Sequence, residues 1–151
     1  MDTLFRRAEP SESEQLTELA HRSKRHWGYP EDWIRLWRDA LTLGPDFIRS
    51  NQVFVATCVG RVAGVYALIS RDGECELEHF WLDPEFMGRG IGTSLFRHAI
   101  ATARGLNASR LTILSDPNAE GFYLRMGARR VGSTPSTPAG RRLPLLIIET
   151  R

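Results

Sequence analysis

Glu76 and Glu78 stand one residue apart in Glu76-Leu77-Glu78-His79-Phe80-Trp81-Leu82, a stretch that alternates as a strand does. Period two sends Glu76, Glu78, Phe80 and Leu82 to one face, and Leu77, His79 and Trp81 to the other. A carboxylate there can take a proton as a general base; the plainer readings are a solvated strand carboxylate or an anion that binds an acceptor. Directly after comes Asp83-Pro84-Glu85-Phe86-Met87-Gly88-Arg89-Gly90-Ile91-Gly92-Thr93-Ser94-Leu95, which reads as a strand end, a turn, a glycine-rich loop and a helix start. Gly88, Gly90 and Gly92 let the backbone approach a ligand closely, because no Cβ intervenes. The helix behind them aims free N–H groups and its positive dipole end at the loop. That suits a phosphate or pyrophosphate, against the alternative of a tight strand-to-helix turn with no ligand. A second cluster, Asp116-Pro117-Asn118-Ala119-Glu120-Gly121-Phe122-Tyr123-Leu124-Arg125-Met126-Gly127-Ala128, follows the apolar run Leu111-Thr112-Ile113-Leu114. It reads as a turn and a short helix closed by Gly127.

At these residues the chain resembles the GCN5-related N-acetyltransferase superfamily. That family's cofactor loop has the pattern Gln/Arg-x-x-Gly-x-Gly/Ala, and Met87-Gly88-Arg89-Gly90-Ile91-Gly92 matches it except at Met87. Its second signature, an Asn followed by a Phe-Tyr pair and a helix-ending Gly, stands here as Asn118, Phe122-Tyr123 and Gly127. The resemblance implies acyl transfer from acetyl-coenzyme A to an amine through a tetrahedral intermediate. It implies that the backbone of Phe80, Trp81 and Leu82 holds the thioester end. The N–H groups from Gly88 through Arg89, Gly90, Ile91 and Gly92 to Thr93 would hold the pyrophosphate, with Met87 at the head of the motif. Asn118 would bond the cofactor or cap its helix, and both can hold at once. Register against the family favours Glu76 as base, while Glu78 lies nearer the expected thioester, so both remain candidates, acting directly or through a water.

Tyr123 matches the position of a tyrosine acid beside the departing sulfur, against the alternative of an aromatic packed in its helix. His26-Trp27-Gly28-Tyr29 lies where the family shapes its acceptor pocket. His26, Trp27 and Tyr29 would there meet a cationic amine, unless Trp27 and Tyr29 merely staple two helices. Arg141 and Arg142 would recognise an acceptor carboxylate or remain solvated. His79, on the face away from the glutamates, reads as a hydrogen-bonded core histidine. A module that binds acyl-coenzyme A without turnover is the second reading; the carboxylates and Tyr123 argue against it.

Other glycine-loop readings fail on spacing. A nucleotide P-loop ends in Gly-Lys-Ser/Thr, whereas Thr93 follows Gly92 directly. A dinucleotide fold needs its loop after the first strand and an acidic residue about 20 positions on; this loop follows the fourth strand, and Arg110-Leu111-Thr112 stands at that distance.

Composition sets the frame. The 151 residues suit one domain with a real core. A hydrophobic fraction of 42% and a charged fraction of 25% are ordinary for a soluble globular protein. A net charge of +2 is too small to imply nucleic acid or a membrane surface as partner. Lys24 is the only lysine. Cys58 and Cys75 form no metal spacing and no disulfide framework, so each reads as a small apolar side chain in a reducing compartment. No apolar run reaches the roughly 20 residues of a membrane span, and the opening residues lack a secretory apolar stretch. These features predict a cytoplasmic protein without a metal; a homodimer stays open.

The elements that must hold these residues can be read in order. Leu4–Arg7 is a first strand, and Ser11 with Glu14 reads as a capping box opening a helix to about Lys24. Pro30 opens a second helix with Trp33, Ile34, Trp37, Ala40 and Leu41 at helical spacing, ending at Gly44. Val53–Val59 and Val62–Ser70 flank a Gly60-Arg61 hairpin, and Asp72-Gly73 turns into the Glu74–Leu82 strand. A helix from Gly90 to about Arg104, a strand over Arg110–Ser115, a helix over Asn118–Met126 and strands over Arg129–Thr134 and Leu143–Glu149 complete the chain. The loop between those last strands is too short to link domains. An antiparallel meander, a crossover helix and a further strand make an α/β (α+β) fold. The resemblance makes it a single domain with a mixed, mostly antiparallel sheet of six to seven strands and about four helices. Its splayed fourth and fifth strands would form the acyl-coenzyme A cleft.

Overall fold

The computed structural model describes residues 2–151. The strands are β1 (Thr3–Arg7), β2 (Gln52–Cys58), β3 (Arg61–Arg71), β4 (Glu74–Leu82), β5 (Arg110–Leu114), β6 (Arg129–Pro135) and β7 (Arg142–Glu149). The helices are α1 (Ser13–Arg25), α2 (Glu31–Leu36), α3 (Pro45–Ser50), α4 (Ile91–Gly105) and α5 (Glu120–Arg125). The strands form one seven-stranded sheet in the order β1-β2-β3-β4-β5-β7-β6. β1 pairs antiparallel with β2, and β7 pairs antiparallel with both β5 and β6. β4 and β5 are parallel, joined through α4, so the sheet is mixed as expected. Their register covers Cys75–Leu77 against Leu111–Ile113, and residues 78–82 of β4 extend beyond it.

The chain divides into two compact units, one reaching to Ala67 and taking in His79–Phe96, the other comprising Leu68–Glu78 and Arg97–Arg151. The first is built on a cluster in which Leu16 and Leu19 of α1, Ile34 of α2, Ile48 of α3, and Val53 and Val55 of β2 are almost fully buried. Each such side chain contributes about 1.5–3 kcal/mol relative to exposure. In the second unit, the buried Leu111 and Ile113 of β5 pair in register with Ile148 and Leu146 of β7, of which Leu146 is fully buried.

Several local expectations shift. The capping box lies two residues earlier than Ser11 and Glu14: Glu9 and Glu12 form it, on a 3-10 turn over Pro10–Glu12. Glu12 also takes a two-pronged bond from Arg6, which fixes the box. The β2–β3 turn is Val59-Gly60, with φ of 52° and 76°, rather than Gly60-Arg61. Both central residues adopt the left-handed region that a two-residue hairpin requires, and Asp72-Gly73 does the same at 49° and 79°. The second helix ends at Leu36, and α3 is an additional helix that opens on Gly44-Pro45.

Candidate active site

In the first unit, the end of β4 is built around Asp83. This carboxylate is buried, accepts from Glu85 N at 3.1 Å and pairs with Arg22 of α1 at 2.9 Å. It thereby caps the 3-10 turn Pro84–Phe86 and ties that turn to α1. Phe86 is buried with the guanidinium groups of Arg61 and Arg89 over its ring, at 5.1 and 5.3 Å from the centroid. The chain then passes through Gly88 and Gly90 at φ of 78° and 80°. A Cβ at either would meet nothing within 4 Å, so both glycines border open space. Met87, Gly92 and Thr93 are half-buried and Arg89 is exposed. Ile91, Leu95 and Phe96 are buried and anchor the opening of α4, whose first-turn N–H groups lack intrahelical acceptors.

β4 alternates as the sequence requires. Cys75, Leu77 and His79 are buried, Glu76 is half-buried and Glu78 is exposed. Glu76 lies 3.8 Å from Arg71 in a solvent-facing pair. Phe80 packs edge-on against Phe96. His79 is the hydrogen-bonded core histidine expected: Trp81 Nε1 donates to its Nδ1 at 2.9 Å, and the Phe47 ring meets it edge-on. Burial pushes its pKa down to about 4, so it is neutral with its proton on Nε2.

His26-Trp27-Gly28-Tyr29 separates into two parts. His26 and Trp27 are exposed and meet edge-to-face at 5.5 Å. Tyr29 instead stacks on Trp33 and meets Trp37 edge-on at 4.9 Å, so stapling describes Tyr29 and not Trp27. The cation on these aromatics belongs to the chain itself. Lys24 is buried, its Nζ 4.8 Å from the Trp37 ring centre, 5.3 Å from that of Tyr29 and 5.8 Å from that of Trp81. Sequence reasoning passed over Lys24 because a lysine in the last turn of a helix usually lies in water; its standing as the only lysine was the available signal.

In the second unit, Asp116 caps the 3-10 turn Pro117–Ala119, and Asn118 gives it both the backbone N–H and Nδ2, at 2.8 and 3.1 Å. The cap expected of Asn118 is therefore Asp116. The helix bearing Tyr123 closes as a Schellman motif: Ala128 N donates to Tyr123 O and Gly127 N to Leu124 O, with Gly127 at φ 104°. Tyr123 is the buried side chain of α5, whereas Phe122 and Met126 are half-buried. Burial first, and the Asp116 charge second, raise the Tyr123 pKa well above that of an ordinary phenol. Arg141 is neither solvated nor open to an acceptor. It pairs with Asp116 at 3.4 Å, and Arg142 bonds Ser133 across the β6–β7 pair. Among the described residues no group of three or more His, Cys, Asp or Glu is placed to hold a metal ion. No described helix is long and apolar enough to cross a membrane.

A strand running into a glycine-rich loop, then a helix and a parallel strand, is the order that the resemblance implies. A profile of the acetyltransferase (GNAT) family matches residues 13–128, so the chain belongs to that family. A curated relative, the peptidyl-lysine N-acetyltransferase YjaB of Salmonella typhimurium, is 33% identical over 72 residues. That match spans about half of either chain, 46% of this one and 47% of the relative. Among solved structures, the PaiA N-acetyltransferase of Thermoplasma acidophilum, in complex with coenzyme A, superposes with a TM-score of 0.80 at 18% identity, covering 99% of both chains. The apo form of Escherichia coli YjaB gives 0.72 at 23% identity, covering 99% of this chain and 98% of that one.

Proposed function

We propose that this chain moves the acetyl group of acetyl-coenzyme A to a primary amine of a small molecule or of a protein, by direct attack through a tetrahedral intermediate. The observation that carries this reading is the loop, where Gly88 and Gly90 hold left-handed φ beside open space ahead of α4. Such a cradle fits a pyrophosphate, since N–H groups and a helix N-terminus meet the anion with no Cβ in the way. Met87 to Thr93 would hold it, the backbone of Phe80–Leu82 the thioester end, and Asn118 a further polar group. Acetyl-coenzyme A bound there supplies an activated acyl group and a thiolate leaving group.

The chain's own residues handle the protons. Glu76 or Glu78 takes the one an ammonium must lose before it attacks, directly or through a water. Tyr123, kept protonated by burial and by the Asp116 charge, gives one to the departing sulfur. His26 and Trp27 offer exposed surface to the acceptor. The name of the YjaB relative favours a protein lysine as that acceptor. We take residues 1–151 to work as a single acetyltransferase domain, in the reducing cytoplasm that the buried free thiols of Cys58 and Cys75 suit.

Two measurements test the reading. Mass spectrometry of the natively purified protein should find coenzyme A bound. A panel of amines and lysine-bearing peptides, scored by thiol release from acetyl-coenzyme A, should contain an acceptor. Binding without thiol release across the panel would replace the enzyme with a non-catalytic acyl-coenzyme A sensor.

A further inference from the structure

Arg141 sits in the loop between β6 and β7, twenty-five residues from Asp116, yet its Nη2 lies 3.4 Å from Asp116 Oδ2. Both side chains are about nine-tenths buried, at 11% and 10% exposure. The loop folds around this arginine. Ser136 N donates to Arg141 O at 2.8 Å, Arg141 N donates to Pro138 O at 3.0 Å, and Arg141 Nη1 donates to Ser136 Oγ at 3.3 Å. Asp116 Oδ1 meanwhile accepts both donors of Asn118, and Ser115 N donates to Pro144 O at 2.9 Å. One carboxylate thus joins the β6–β7 loop to the turn that opens the Tyr123 helix.

We infer that Arg141 is a positioning residue for acetyl transfer: through Asp116 it fixes the turn that carries Asn118 and leads into the helix bearing Tyr123. The inference rests on the donor role proposed for Tyr123. Removing the cation on Oδ2 leaves a buried carboxylate that gains by turning towards water, and any such turn strains the bonds from Asn118 to Oδ1. A lysine keeps the charge but loses the fork that reaches Asp116 and Ser136 together.

The test uses Arg141→Met, Arg141→Lys and Tyr123→Phe in the full chain, with acetyl-coenzyme A and the best amine from the panel above. Arg141→Met should lower kcat by at least about tenfold and leave the KM for acetyl-coenzyme A within about twofold. Arg141→Lys should recover part of that loss. Combining Arg141→Met with Tyr123→Phe should be no worse than Tyr123→Phe alone, because both act on one step. Without any substrate, amide exchange over residues 115–125 should quicken by at least about tenfold in Arg141→Met, with β1 and β2 unchanged. Wild-type exchange in Arg141→Met overturns the inference whatever Tyr123→Phe does. Faster exchange throughout the chain, with no recovery by lysine, also overturns it by reducing Arg141 to a general stabiliser. A fully active Tyr123→Phe instead overturns the donor role and leaves the exchange result to stand.

Discussion

Gly64 of β3 offers a test of how tightly the end of β4 is held. It is buried, and a Cβ there would lie 3.0 Å from Leu82 Cδ1, Leu95 Cδ2 and the Trp81 carbonyl oxygen. Its φ lies outside the left-handed region, so the backbone would accept alanine and the space alone decides the outcome. Carbon atoms prefer separations of about 3.5–4.0 Å, and forcing an extra methyl into a filled core costs about 1–3 kcal/mol. Losing a glycine from the unfolded chain returns about 0.4–1 kcal/mol. Taking the middle of each range, the net loss for Gly64→Ala is about 1.3 kcal/mol, a fall in Tm of roughly 3–5 °C for a chain of this size. The two leucine methyls can rotate away, but the Trp81 carbonyl can yield only if β4 moves. Since Phe80–Leu82 are proposed to hold the thioester end, acetyl-coenzyme A affinity by calorimetry should fall along with the Tm. A Tm equal to or above wild type would refute the reasoning, because it would mean that the methyl was absorbed without moving the strand.

Four further outcomes can be measured. Gly90→Ala carries left-handed strain of about 1–2 kcal/mol and also places a methyl beside the proposed phosphate, so both Tm and acetyl-coenzyme A affinity should drop; a drop in Tm alone removes the loop assignment. Glu76→Gln and Glu78→Gln should differ, the true base losing the alkaline-rising limb of its kcat/KM profile; wild-type profiles in both would dismiss both residues. Trp27→Ala, at a site 42% exposed, should cost at most about 0.5 kcal/mol of stability while raising the acceptor KM far more than that of acetyl-coenzyme A; equal KM changes with a lower Tm would make Trp27 structural. His79 has its pKa held near 4 by burial, from an ordinary 6.5, so the unfolded chain takes up this proton first as pH falls. Stability from this group is therefore full above about pH 6.5 and declines towards pH 4, by up to roughly 3 kcal/mol. His79→Gln, still able to accept from Trp81, should flatten that part of a urea-denaturation pH series, and an unchanged slope would count against the assignment.

The parts of the fold legible in the sequence are those whose chemistry is local. Alternation fixed the two faces of β4, and the glycine loop announced both the break and the helix behind it. The misreadings arise where a residue's partner is distant or where one signal admits two meanings. Gly44 reads as the end of one helix, yet the proline after it, at the first helical position, opens another, here α3. Glycine at the first or second centre of a two-residue turn gives different hairpins, and Val59 accepts an uncommon positive φ that no propensity favours. Glu12 outcompetes Glu14 for the capping box because Arg6 of β1 holds it, a contact no local pattern contains. Arg141 reads in the sequence as solvated or as a group for an acceptor carboxylate, because the carboxylate that buries it lies twenty-five residues upstream.

Lys24 changes the argument about the acceptor most. The resemblance sets His26, Trp27 and Tyr29 out to meet a cationic amine, unless Trp27 and Tyr29 staple two helices. In the fold, Tyr29, Trp37 and Trp81 already surround an ammonium, that of the buried Lys24. A ring face that has met one cation attracts a second more weakly, since the first opposes its approach through poorly screened protein. These aromatics are therefore spent on structure: they let a charged side chain sit inside the first unit, and they fix α1 where it leads into His26 and Trp27. On the proposed reading, recognition of an incoming amine would fall to exposed groups, and Trp27 is the exposed aromatic of the first unit. If a carboxylate also removes the amine's proton, as proposed for Glu76 or Glu78, selection and activation of the acceptor would draw on the same residue type. That coupling is why the kinetics of the two glutamine variants bear on the acceptor's identity as well as on the base.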